Sequence, residues 1–103
     1  MSDIENLKKS SFDPHLNTKF EVNTEIEGMV EVELVDVADH SRENLETFSL
    51  LFKAPKDKFF DQKLYKVKHA KMGELDLFLV PVVSEKQDAF YYESVFSRLL
   101  EKK

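Results

Sequence analysis

The stretch YKVKHAKMGELDLFLVPV, residues 65–82, decides how this chain folds. Tyr65, Val67 and His69 share one alternating row while Lys66 and Lys68 point the other way, which is the period of two that marks a half-buried strand. Extended to KLYKVKHA and followed by ELDLFLVPV, the stretch predicts a β-hairpin across KMG, with Gly73 supplying the left-handed conformation that a tight turn requires.

Outward from the hairpin, the rest of the chain also reads as strands. In TKFEVNT, Phe20 and Val22 alternate against Glu21 and Asn23. In MVEVELVDVAD, Val30, Val32 and Leu34 alternate against Glu31 and Glu33 before the phase slips to Val35 and Val37. A slip of one residue turns every later side chain to the other face, so a bulge or sharp bend is expected near Leu34 and Val35. ETFSLLFKA places Phe48, Leu50 and Phe52 on one face, and the polar turn region APKDKFFDQ follows from Pro55. Upstream, FDPHLNTKF predicts one short helical turn with Asp13 as N-cap and Pro14 at its first position. That turn carries Leu16 as a plug between Phe12 and Phe20.

The last segment, AFYYESVFSRLLEKK, carries two patterns at once. Tyr92, Val95, Phe96, Leu99 and Leu100 have helical spacing, whereas Phe90, Tyr92, Ser94 and Phe96 lie on one side of a strand. Aromatic and β-branched residues favour the strand, and a closing strand covers the edge of an open sheet. We read a strand through about Phe96 with a short helical tail. The expected architecture is all-β: a small antiparallel barrel or rolled sheet of about six strands with a short N-terminal helical turn, forming one domain over 1–103 with a loosely ordered segment over 1–11.

Composition bounds the function. A chain of 103 residues removes only about two thirds of its unfolded surface from water, so its core is small. Nine Phe and three Tyr give that core bulk. With two glycines and no cysteine, the chain offers no disulfide scaffold, thiolate zinc site, cysteine nucleophile, glycine-rich phosphate loop or dinucleotide-binding turn. The opening MSDIENLKK is acidic where a signal peptide is basic, and no run of eighteen apolar residues occurs, so a cytoplasmic protein without membrane association is expected.

The order Phe12, Leu16, Phe20, then VELVDV, FSLLFKAP, Gln62, Tyr65, His69, Gly73, LFLVPV and finally Tyr92, Val95 and Phe96 resembles a family of small bacterial proteins known only as a domain of unknown function, family 6916. The resemblance covers nearly the whole chain. It departs from the family pattern at Asn17, where a glycine usually precedes the first strand, at Lys53 and Ala54 in place of Arg-Gly, and at Ser97 in place of Asn. It implies a compact all-β protein and brings with it no activity, cofactor or catalytic residue.

No catalytic constellation stands out. His69 is expected to face the interior or its rim and to be held by a backbone carbonyl, Gln62, Tyr65 or an acid, as a structural histidine. Ser49 lacks the flanking glycines of a nucleophile elbow and points away from Phe48, Leu50 and Phe52. His15, His40, Asp36 and Asp39 match no metal-ligand spacing. Glu31 and Glu33 read as a solvent face. No catalytic, cofactor or metal residue is therefore assigned.

Charge is the feature that goes furthest. Residues 53–71 hold seven Lys against Asp57 and Asp61, a balance of +5, in a chain of net charge −5, so the remainder carries −10. Lys66, Lys68 and Lys71 with Phe59 and Phe60 form a candidate binding surface, and Gln62, Tyr65 and His69 a candidate pocket. The preferred reading is a non-catalytic structural or protein-interaction module that docks an unidentified protein or a second copy, as an accessory of a larger bacterial assembly. The alternative is a barrel that binds a small ligand or single-stranded nucleic acid on its lysine-rich strand.

Overall fold

A computed structural model describes residues 9–26, 28–56, 59–82 and 89–99. Six strands, β1 (Lys19–Asn23), β2 (Met29–Asp39), β3 (Leu45–Ala54), β4 (Lys63–His69), β5 (Gly73–Val82) and β6 (Phe90–Leu99), close into a barrel in the order β1-β2-β3-β6-β5-β4. Every neighbouring pair is antiparallel. The terminal segment is therefore a strand: Phe48 faces Phe96 and Phe52 faces Tyr92 across a β3–β6 ladder that runs from Leu45 to Leu99. Burying Phe90, Tyr92, Ser94 and Phe96 along one side outweighs the helical spacing, because the strand also pairs backbone groups that would otherwise leave β3 as an edge.

The alternating residues fill the inside. Phe20 and Val22, Val30, Val32 and Leu34, Phe48, Leu50 and Phe52, Tyr65 and Val67, and Leu75, Leu77 and Leu79 are all buried. The phase slip in β2 is a bulge: Leu34 pairs with Phe52 and Asp36 with Leu51, which leaves Val35 as the extra residue and returns Val37 toward the core. Gly73 has φ +79 in the β4–β5 turn, as its place there requires.

Two ends can be distinguished. At one lie the β2–β3 and β4–β5 turns and the N-terminal helix α1 (Lys9–Phe12), which runs directly into a 3-10 turn over Asp13–His15. Helical backbone thus begins upstream of Asp13. Phe12, not Asp13, occupies the cap position of the 3-10 turn, and no side chain caps it. The plug is also Phe12, fully buried and packed on Phe48 and Phe96 with ring centroids 5.9 and 5.6 Å away. Leu16 remains 40% exposed, because the chain leaves the 3-10 turn there in an extended conformation. Of the segment expected to be loosely ordered, residues 1–8 lie outside the described residues and residues 9–11 belong to α1. At the opposite end lie the β1–β2 turn, the connection from β3 into β4, and the start of β6.

Candidate functional site

Neither of the two groups of candidate residues stays together in space. His69 and Tyr65 both point inward from β4, but four strand residues put them about 13 Å apart, one near each end. Gln62 is exposed in the segment before β4. Among the described residues, the groove that takes in Tyr65 includes neither Gln62 nor His69.

His69 is 8% exposed and has partners on both ring nitrogens. Nδ1 accepts the backbone N–H groups of Lys71 and Met72 at 3.0 and 3.2 Å. An acceptor on that side assigns the proton to Nε2, which donates to Thr18 Oγ1 at 2.9 Å; Thr18 in turn donates to the His15 carbonyl at 2.5 Å. The expected partners, Gln62, Tyr65, an acid or a backbone carbonyl, are not the ones used. The turn that follows β4 folds its own amides back onto the ring, and Thr18, 51 residues away, meets its other side. Phe20 and His15 pack against the imidazole, with centroids at 4.4 and 4.6 Å. Burial, then the nearby His15 and Lys71, hold the pKa of His69 below its ordinary value. The imidazole is a neutral clasp between the N-terminal segment and the β4–β5 turn.

Lys66 and Lys68 are exposed on the outer face of the hairpin, directly opposite Asp76 and Glu74 on β5. Their ammonium groups lie 3.5 and 4.0 Å from those carboxylates, and Glu21 of β1 faces Lys68 from the other side. The row is a ladder of alternating charge rather than a basic stripe. Lys71 sits apart, in the β4–β5 turn, at the end of the barrel away from Phe59 and Phe60. Phe60 is buried at 5% exposure, whereas Phe59 is 46% exposed.

Phe59, Phe60 and Tyr65 instead meet at the second end of the barrel. Tyr92 stacks on Phe60 at 3.9 Å and 8°, Tyr65 meets Phe60 edge-on at 5.0 Å, and Phe59 meets Phe90 edge-on at 5.2 Å. Two hydrogen bonds lock this tier: Phe60 N–H donates to Tyr92 Oη at 2.9 Å, and Tyr65 Oη donates to the Asp61 carbonyl at 2.6 Å. Beside it, the β1–β2 turn is closed by Thr24, whose N–H and hydroxyl both donate to the Gly28 carbonyl. A groove of about 200 Å³ runs between that turn and the segment entering β4, lined by Glu25, Ile26, Phe59, Asp61, Lys63 and Tyr65 among others. Lys63 Nζ lies 3.5 Å from a Glu25 carboxylate oxygen on its rim. Burial, followed by the nearby carboxylates of Asp61 and Glu25, pushes the Tyr65 phenol up.

Of the seven exposed large hydrophobics among the described residues, Ile26, Met29, Phe59, Leu64 and Phe78 all lie toward this end, and Leu64 and Phe78 are direct cross-strand partners. Sequence reasoning found Phe59 but missed Glu25, Ile26 and the pairing of Leu64 with Phe78. The apolar residues at outward positions of a strand pattern were the available signal.

The remaining polar candidates have structural partners. His40 Nε2 lies 3.2 Å from Ser49 Oγ, but Ser49 is only 7% exposed beneath it, so this Ser–His contact presents no open hydroxyl. His15 packs on His69, and no group of three metal-ligating side chains occurs among the described residues.

A family model described as Domain of unknown function (DUF6916) matches residues 7–96. No curated protein and no solved structure matches the chain.

Proposed function

Since the chain belongs to the family of the Domain of unknown function (DUF6916), we propose that it is a non-catalytic protein-interaction module, an accessory of a larger bacterial cytoplasmic assembly, which docks its partner at the aromatic end of the barrel. One observation carries this reading: five of the seven exposed large hydrophobics among the described residues lie toward that end, and two of them, Ile26 and Phe59, line the groove. The barrel interior supports it. Large side chains occupy the inside from Phe12 to Tyr92, and no buried side-chain polar atom among the described residues lacks a partner, so the described core has no unspent side-chain hydrogen bonds to offer a ligand. Apolar side chains rimmed by exposed charges, such as Lys63 and Glu25, are the composition of a docking surface. The lysine ladder is a weaker candidate for a nucleic-acid surface, because a phosphate backbone laid on Lys66 and Lys68 would also meet Asp76, Glu74 and Glu21.

The test is capture of partners from a lysate of the source cell by the tagged chain, beside the double variant Leu64→Ser, Phe78→Ser and the control Lys66→Ala. Both substituted apolar residues are exposed, so the variant retains its fold. The reading expects one defined protein held by the native chain and by Lys66→Ala and lost with the double variant. A partner held equally by all three, or nucleic acid in place of protein, would overturn it.

A further inference from the structure

We infer that the groove at the aromatic end receives one cationic side chain, a lysine or arginine carried on an extended segment of the partner protein. The inference rests on the interaction reading above and adds the chemistry of what enters the groove.

Size suits a small guest. About 200 Å³ is below the range of roughly 300–1,000 Å³ typical of sites for drug-sized ligands or cofactors, and it suits a single side chain. Charge selects among side chains. Among the described residues, the lining holds the carboxylates of Glu25 and Asp61 against the ammonium of Lys63, a net of −1. The Lys63–Glu25 pair does not block entry: both side chains are more than half exposed, and so open a pair is held weakly enough for an incoming cation to replace or share it.

The walls supply the third element. Phe59 presents a half-exposed ring, steadied edge-on by Phe90, and Phe60 with Tyr65 forms the lining behind it. A cation that lies over a ring face with a carboxylate at hand gains from both, and the guanidinium or ammonium keeps part of its hydration at the open mouth. An anionic or phosphate-bearing guest would meet both carboxylates. A neutral aliphatic side chain would add no charge to balance the second carboxylate.

Acetyl-Gly-Arg-Gly-amide, titrated into the ¹⁵N-labelled full chain at low salt, tests this by amide chemical shifts, with the neutral citrulline peptide as the comparison. The expected result is saturable shifts at Glu25, Ile26 and Phe59 to Lys63, with binding about two- to fivefold weaker for citrulline and for the Glu25→Gln variant. Equal binding of the citrulline peptide, or no loss in Glu25→Gln, would overturn the cationic guest while leaving the apolar docking surface in place. Absence of saturable shifts in the groove would also overturn it. Retention of a captured partner by the Leu64→Ser, Phe78→Ser variant is the separate result that removes the docking reading itself.

Discussion

The amide of Asn17 donates to the carbonyl of Leu34 at 2.6 Å, which places a left-handed residue at the mouth of β1 directly against the bulge in β2. Asn17 has φ +68, and Leu34 N–H returns a bond to the Thr18 carbonyl at 3.1 Å. The β1–β2 ladder thus continues past its regular register to the point where β2 gains its extra residue. The glycine expected at this position in the family pattern suits the same backbone conformation, which Asn tolerates better than other residues with a Cβ.

Replacement of Asn17 should follow that conformational preference. Asn17→Gly is expected to change stability by less than about 1 kcal/mol, whereas Asn17→Val, β-branched and ill-suited to positive φ, loses about 1–2 kcal/mol. Urea unfolding with an unchanged denaturant slope would show it. Equal midpoints for the two variants would contradict it.

Tyr92→Phe removes the oxygen that accepts the Phe60 amide while keeping the stacked ring. The buried N–H then has no acceptor, and the expected loss is about 1–3 kcal/mol, accompanied by exchange broadening of the Phe59 and Phe60 amides. A melting temperature equal to that of the native chain would show that water or a shifted carbonyl replaces the phenol.

His69 makes stability depend on pH in a defined direction. Its native pKa is held below the unfolded value near 6.5, so the unfolded chain binds the proton more readily. The contribution is fully present above about pH 6.5, is lost as pH falls below that value, and levels off beneath the lowered native pKa. His69→Asn keeps an acceptor for the turn amides and removes the titration, so its deficit relative to the native chain should shrink as the solution is acidified from pH 7 to 5. A constant deficit across that range would disprove the linkage. His69→Ala, which loses the Thr18 link and both amide bonds, should cost about 1–3 kcal/mol at pH 7.

The charged ladder should prove nearly inert. Lys66→Ala breaks an exposed pair with Asp76 at 3.5 Å, and exposed pairs contribute about 0–1 kcal/mol. Thermal unfolding in low and high salt should separate the variant from the native chain only slightly, and less in high salt. A large gap that persists in high salt would mean that Lys66 supports the fold through its packing.

Local alternation carried most of the fold. Period-two patterns placed the strands and their inward residues, the phase slip at Leu34 and Val35 located the bulge, and Gly73 located the tight turn. Asp13 misled because a favourable cap residue can also continue a helix that begins earlier. Leu16 misled because apolar character alone does not say which of two nearby side chains reaches the core. The C-terminal segment satisfied two periods, and only its ladder with β3 separated them.

The sequence by itself therefore determined which side of each strand faces inward, since that is a property of neighbouring residues. It also determined that a row containing His69 belongs to the interior. Tertiary structure decided which distant residues meet: Thr18 with His69, Tyr92 with Phe60, and the turn bearing Glu25 with the segment bearing Phe59. Those meetings depend on the strand order around a closed barrel, where register and closure bring together groups tens of residues apart that no local period relates.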